Sequence, residues 1–211
     1  MIRALPALIT AALLAACAGA PAPPDWQLNA QVALKNFEAA YLAGNSRVAD
    51  AEFARARREL SSTGRADLVA RAELTRCALH TASLAFDDCP AFRSLALDAG
   101  APERAYGEYL AGRWQGIDVN LLPEQHRPVI AGGALPIDPM ARLVAAGASL
   151  RAERATPALI AAAIETASAN GWRRPLLAWL GLEGKRASSA GDDEAAGRIR
   201  RRMELITKGG N

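Results

Sequence analysis

The cysteines and histidines of this 211-residue chain, five residues in all, are the first candidates for covalent or metal chemistry. They are the three cysteines Cys17, Cys77 and Cys89 and the two histidines His80 and His126. A cysteine thiolate can receive a lipid, join a disulfide or bind zinc, and an imidazole can bind zinc or carry a proton. The neighbours and spacing of each residue indicate which of these chemistries the sequence predicts.

Cys17 follows a short apolar segment that starts after Arg3, the only charged residue before Asp25. The segment is shorter than the about 20 apolar residues that a membrane-spanning helix needs. A basic start, a short apolar centre and small residues at the end are typical of a secretory signal peptide, which is removed after export. We therefore expect residues 1–16 to be a signal peptide.

The residues Leu14-Ala15-Ala16-Cys17 resemble the lipobox of bacterial lipoproteins. The resemblance implies cleavage before Cys17, a diacylglycerol on its sulfur and an acyl chain on its amine; each buried methylene contributes about 0.8 kcal/mol to anchoring. Ala18 stands where an inner-membrane retention signal has aspartate, which implies the periplasmic face of an outer membrane. Residues 17–24 then form a lipidated, proline-rich tether. The alternative is an ordinary signal peptide with an accidental cysteine.

Cys77 and Cys89 are predicted to form a disulfide, because exported proteins mature in an oxidising compartment. If one helix continued through both residues, their Cα atoms would lie about 18 Å apart, whereas a disulfide requires about 4.4–6.8 Å. The chain must therefore turn back after Phe86. Asp87-Asp88 and the position of Cys89 before Pro90 favour that turn. Two buried free thiols are the alternative.

The sequence predicts no metal site, no cofactor and no catalytic residue. His80 lies on a predicted helix without other ligands at metal-binding spacing, and His126 lies beside Glu124 and Arg127 in a proline-rich segment. Helical lytic transglycosylases carry a catalytic glutamate followed by serine, a pair that this chain lacks. A G-x-S-x-G nucleophile motif and a glycine-rich phosphate loop are also missing.

The composition predicts an all-α protein that does not bind nucleic acid. The chain has 25 basic and 22 acidic side chains, and removal of residues 1–16 leaves 24 and 22. This small excess of basic residues is not the strongly basic surface that a nucleic-acid-binding protein needs. Aromatic residues make up 5% of the chain, too few for many base-stacking platforms. The chain is rich in alanine, leucine, arginine and glutamate, which favour helices, and strictly alternating β-branched runs are missing.

The apolar spacing predicts consecutive antiparallel helices in two halves, residues 25–112 and 138–208. Residues 113–137, rich in proline and glycine, form the connector between the halves. The third helix is apolar on more than one side, so we expect it to be sandwiched between neighbours. The predicted helices are residues 26–43, 46–60, 65–86, 91–98, 102–111, 138–152, 156–170, 172–190 and 192–207.

Two hairpins repeat one spacing of turn glycine and packing residues. The first has Gly44, Ala49, Phe53 and Ala56, and the last has Gly191, Ala196, Arg200 and Met203. The first resembles the second part of a tetratricopeptide repeat, which implies stacked helical hairpins with a concave binding face. Arg200 stands where the repeat has an aromatic residue, and Ser61 stands where it has proline. An irregular helical bundle is the alternative architecture.

The cluster Trp172-Arg173-Arg174 is the third candidate site, at the start of a helix that also holds Trp179. One interpretation is a partner-binding edge, because tryptophan and arginine are common anchors in interfaces. The other, which the pattern favours, is that both tryptophans are buried between hairpins and the arginines are solvated.

We therefore expect a lipid-anchored periplasmic helical-repeat protein that acts as a non-catalytic interaction or assembly factor, with an envelope protein or peptide as its partner. Similar helical-repeat lipoproteins assist outer-membrane, pilus or secretin assembly or cell-wall synthesis, and the residues select none of these roles. The alternatives are an enzyme acting on peptidoglycan and a purely structural envelope lipoprotein.

Overall fold

The chain folds into α-helices joined by short turns, as seen in a computed structural model that describes residues 23–209. The predicted signal peptide and Cys17 lie outside the described residues. Over the described part, the prediction of an all-α fold is confirmed. The helices are α1 (Asp25–Leu42), α2 (Ser46–Ser61), α3 (Ala66–Ala82), α4 (Pro90–Arg93), α5 (Ala101–Leu110), α6 (Arg127–Ile130), α7 (Pro139–Arg151), α8 (Pro157–Ala169), α9 (Arg173–Ser189) and α10 (Asp193–Lys208). None of the helices within residues 23–209 combines the length and apolar character needed to span a bilayer.

Polar side chains fix the starts of three helices in the second half. Asp138, Thr156 and Asp192 accept hydrogen bonds from the backbone N–H three residues further on, at 2.8, 3.1 and 2.9 Å. Each bond satisfies one of the N–H groups that a helix start leaves without a partner. Proline follows Asp138 and Thr156 in the first turn, where a missing N–H costs nothing. The predicted starts of α7, α8 and α10 are confirmed.

Consecutive helices pack against each other from α1 to α4 and from α7 to α10. Gly44 has a φ of +87° between α1 and α2, and Gly191 has a φ of +74° between α9 and α10. Left-handed backbone is accessible to glycine without steric cost. After Gly44, the three residues at the spacing of the repeat are all buried: Ala49, Phe53 and Ala56. In the last hairpin Ala196 is buried, whereas Arg200 is exposed.

Helix α3 lies at the centre of the molecule. Its Val69 and Leu79 contribute to the core that the first hairpin forms, and its Leu74 and Cys77 contribute to a second core that extends to α9. The prediction that this helix is sandwiched is confirmed. The second core contains buried side chains from both predicted halves, including Leu110 and Leu143.

Two helices end earlier in the structure than the sequence predicts. Helix α3 ends at Ala82 rather than at residue 86, and its last carbonyl accepts a hydrogen bond at 3.0 Å from the buried Trp179 indole. Leu84 then takes a φ of +55°, which turns the chain out of the helix. Helix α4 ends at Arg93, and residues 94–98 form turns. Leu97, which lies in these turns, is 98% exposed and adds no buried apolar contact there.

Between α5 and α7 the connector is folded without long helices. It contains two 3-10 turns, Val119–Leu121 and Glu124–His126, followed directly by α6. Leu122 and Val129 are buried against the second core, so the connector covers that core. A cavity lies between the connector and helices α3, α5 and α7, and the connector forms one of its walls.

Candidate functional site

A cavity of about 640 Å³ opens between α3, α5, the connector and the start of α7. Its volume lies in the range of small-ligand and side-chain pockets, about 300–1,000 Å³. We call it the His126 cavity, after the buried polar residue in its wall. Its main apolar wall residues are Leu74, Ala78, Tyr106, Leu122, Met140 and Val144.

Local structure brings these side chains to one surface. Leu74 and Ala78 are four residues apart on α3, so they share one face of the helix. The connector is held by Arg127, which donates hydrogen bonds from Nε to the carbonyl of Leu122 at 2.9 Å and from Nη2 to the carbonyl of Asn120 at 3.1 Å. These bonds hold the turn that contains His126.

His126 is the buried polar side chain of this wall. It is 2% exposed, and its Nδ1 lies 3.3 Å from the hydroxyl of Tyr109, which is fully buried. Its ring also contacts the ring of Tyr106, with centroids 5.6 Å apart. The imidazole is therefore fixed in place by contacts with two tyrosines of α5.

Burial controls the protonation of this cluster. It lowers the pKa of His126 to about 4, although the nearby Asp138 carboxylate acts in the opposite direction. Burial also raises the pKa of Tyr106 and, reinforced by Tyr106, that of Tyr109. The rings of His126, Tyr106 and Tyr109 are therefore uncharged at neutral pH.

The charged groups that line the cavity already have partners. Nε of Arg71 lies 2.7 Å from Oε1 of Glu103, and Arg127 binds the connector carbonyls. Asp138 accepts a hydrogen bond from the N–H of Ala141 as the cap of α7. These groups serve the fold, and the arrangement is suited to binding rather than to proton transfer at neutral pH.

A second, larger concavity of about 1470 Å³ lies at the C-terminal end of α5. Four arginines line it: Arg93, Arg104, Arg113 and Arg154. Each one has an internal partner, such as Glu108 for Arg113 at 2.6 Å and the Ile130 carbonyl for Arg154 at 2.7 Å. Its guanidinium groups therefore stabilise loops and do not form an open anion site.

The predicted cysteine pair is brought together. The Cα atoms of Cys77 and Cys89 are 5.8 Å apart, and their sulfur atoms are at bonding distance. The chain turns back as expected, and Arg151 holds the loop through the Asp87 carbonyl at 3.0 Å. Potential ligand atoms of Cys77, Asp87 and Cys89 lie within 4.8 Å of one another, but the disulfide occupies both sulfurs. The disulfide thus joins α3 to the loop before α4 and has a structural role.

The side chains of Trp172, Arg174 and Trp179 make contacts within the protein. Trp179 is fully buried, and Trp172 is partly buried against both cores. Arg174 is not left to solvent, because it donates hydrogen bonds to the carbonyl of Tyr41 at 2.6 Å and to Oγ of Ser46 at 2.8 Å. Its guanidinium stabilises the contact between α9 and the first hairpin.

Sequence analysis did not identify His126 or Tyr109 as site residues. The sequence signal for His126 is its spacing from Leu122 and Val129, four residues before and three residues after it. That spacing predicts that one side of this proline-rich segment is buried. It does not indicate which residues of the other helices contact that side. Comparison of the chain with protein-family models, curated proteins and solved structures finds no significant match.

Proposed function

We propose that this protein is a lipid-anchored, non-catalytic binding factor of the bacterial cell envelope, and that it holds a segment of a partner protein in the His126 cavity. The observation that carries the binding role is the cavity itself, a mostly apolar concavity whose charged wall residues are paired within the protein and whose buried polar side chain, His126, is uncharged. Apolar concavities with few polar groups are typical of binding sites.

The lipobox resemblance at Leu14 to Cys17 supports the location. If Cys17 carries the lipid, residues 17–24 separate the membrane from α1, which begins at Asp25. Eight residues of a proline-rich chain can reach about 25 Å, at about 3.1 Å per residue. The helical body then stays close to the membrane surface and can meet other envelope proteins there.

The anchor is tested by the substitution Cys17→Ser. We expect wild-type protein to incorporate labelled palmitate in growing cells and to fractionate with the outer membrane. The variant should lose the label and appear in the periplasmic fraction. A variant that still fractionates with membranes would contradict the lipid anchor and leave the binding role of the cavity to be judged separately.

The binding role is tested by photo-crosslinking in cells. Thr75 is an exposed residue at the cavity edge. A photoreactive residue at this position should give a discrete adduct with an envelope protein, and the crosslink should map to an apolar peptide of that partner. The same group at Arg200, exposed on α10, serves as the matched control and should not give that adduct. Filling the cavity with Ala78→Leu should reduce the Thr75 adduct.

Two outcomes contradict this function. Equal adducts from Thr75 and Arg200 would show that the cavity does not select the partner. Digestion of cell wall by the purified protein in a zymogram would favour the alternative of a peptidoglycan-active enzyme.

A further inference from the structure

The tautomer of His126 follows from the burial of Tyr109. The Tyr109 side chain is fully buried, and within residues 23–209 its hydroxyl has one hydrogen-bond partner, Nδ1 of His126. A buried hydroxyl that does not donate its proton costs about 1–3 kcal/mol. The phenol therefore donates to Nδ1, and in the neutral ring the remaining proton is on Nε2.

This Nε2–H group is a donor on the cavity side of the ring. His126 lines the cavity, whereas Tyr109 lies behind the wall and does not. The Nδ1 edge of the ring faces Tyr109 inside the protein. Nε2 lies on the other edge, and although His126 is 2% exposed this atom is not sealed from solvent. We therefore place Nε2 at the cavity that the side chain lines. Among the described residues Nε2 has no hydrogen-bond partner, because the one hydrogen bond of the ring is that of Nδ1 with Tyr109. The other interactions of the ring are stacking contacts with Tyr106 and Tyr109 and a charge interaction with Asp138.

The charges around the cavity disfavour an anionic ligand. The two cations that line it, Arg71 and Arg127, are engaged by Glu103 and by backbone carbonyls. The carboxylates Glu103 and Asp138 balance them in number. A carboxylate or phosphate entering this cavity would lose its hydration without gaining a free cation, which is costly. A neutral acceptor has no such penalty.

We infer that the His126 cavity recognises an apolar side chain together with a neutral amide carbonyl, which accepts a hydrogen bond from Nε2–H of His126. The inference rests on the proposed function, because it specifies the chemistry of the partner's segment as an uncharged, apolar stretch of peptide. Tyr109 is a positioning residue in this recognition, since its hydroxyl keeps the proton on the nitrogen that faces the cavity.

The first test reads the tautomer directly. With only two histidines in the chain, protein labelled with ¹⁵N-histidine gives two imidazole spin systems, assigned by His80→Gln and His126→Gln. We expect His126 at pH 7 to have a protonated Nε2 and an unprotonated Nδ1. In Tyr109→Phe, which leaves Nδ1 without its donor, the ring should become a mixture of both tautomers. A proton on Nδ1 in the wild-type protein would overturn the inference.

The second test uses two probes of equal size, 4-methylpentanamide and 4-methylpentanoate. At pH 7 the amide should shift the Nε2–H resonance of His126 and leave His80 unchanged, and the carboxylate should bind at least about fivefold more weakly. The paired substitution Tyr109→Phe with His126→Leu removes the donor and its partner together, so the fold is preserved. It should weaken amide binding about five- to tenfold, the effect of losing one hydrogen bond. His126→Gln supplies another amide donor and should stay within about twofold of wild type.

The outcomes separate this inference from the proposed function. Carboxylate binding as tight as amide binding, or no amide binding at all, would overturn the neutral-carbonyl inference. Either result together with the Thr75 adduct would leave the proposed function in place. Selective amide binding without any envelope-protein adduct would support the recognition chemistry and contradict the proposed function.

Discussion

Arg174 and Tyr41 are 133 positions apart in the chain, and they form a close contact between α9 and the end of α1. The Arg174 guanidinium donates a hydrogen bond to the Tyr41 carbonyl at 2.6 Å and lies 4.3 Å from the centroid of the Tyr41 ring. The Tyr41 ring stacks in turn on His80 of α3, with centroids 5.2 Å apart. A cation near a helix C-terminus is favourable because the last carbonyls carry partial negative charge. This contact joins the second half of the chain to the first hairpin.

Replacing Arg174 with methionine should destabilise the protein by about 1.5–3 kcal/mol, the range for hydrogen bonds that involve a charged group. Methionine keeps part of the packing and removes both hydrogen bonds and the cation–π contact. Urea unfolding of the purified protein measures the difference. Ser46→Ala, which removes only one bond to Arg174, is the control and should cost less than the arginine substitution. A value for Arg174→Met within about 0.5 kcal/mol of wild type would contradict this role.

Gly147 permits a close approach of α7 to α3, and Gly147→Ala should be destabilising. A Cβ atom at this position would clash with the carbonyl oxygen of Thr81, which is backbone and must move with its helix. We expect a loss of about 1–3 kcal/mol in the free energy of unfolding, as for an overpacked core. Gly197→Ala in α10 is the matched control, because its Cβ would meet only Nη1 of Arg201 at 3.6 Å. That change should stabilise the protein by about 0.5–1 kcal/mol. Equal effects of the two substitutions would show that the contact with Thr81 is not limiting.

Reduction of the Cys77–Cys89 disulfide should lower the free energy of unfolding by about 3 kcal/mol, on the chain-entropy model for a loop of this length. The cysteines are separated by 12 positions, so the closed loop is short. Thermal unfolding with and without reductant measures the effect. The double substitution Cys77→Ala with Cys89→Ala should be insensitive to reductant. A wild-type midpoint that does not respond to reductant would indicate that the cysteines are unpaired in the purified protein.

Stability should fall as the pH decreases from about 6.5 to 4. The pKa of His126 is lowered to about 4 in the folded protein, whereas the unfolded value is about 6.5. Between these values the unfolded chain binds more protons, so protonation favours unfolding, and His126 alone accounts for about 3 kcal/mol. Burial lowers the pKa of His80 as well, which acts in the same direction.

The variant His126→Gln isolates the contribution of one histidine. It keeps a hydrogen-bonding partner for Tyr109 and removes the titrating group, so its unfolding free energy should depend less steeply on pH between 6.5 and 4. Carboxylates with lowered pKa values, such as Glu108 beside Arg113, lose their contribution only in a more acidic range. Identical pH profiles for the variant and the wild type would contradict the burial of a neutral His126.

Local chemistry explains why much of the fold could be predicted from the sequence. The side chains of Asp138, Thr156 and Asp192 bond to backbone N–H groups three residues away, so their role as caps is visible in the sequence. Gly44 and Gly191 occur where a hairpin needs left-handed backbone. The end of α3 could not be predicted in the same way, because the partner of its last carbonyl is Trp179, 97 positions away.

The sequence by itself determined the all-α class, the order of the hairpins and the export and lipidation hypothesis, since short-range hydrogen bonding and linear signals depend on neighbouring residues. Only the tertiary structure decided that Arg174 closes onto Tyr41 and that His126 is buried beside Tyr109 at the wall of a cavity. Burial and choice of partner depend on residues far apart in the chain that meet only when the helices pack. The donor that faces the His126 cavity is a consequence of that packing, because the buried hydroxyl of Tyr109 fixes which imidazole nitrogen carries the proton.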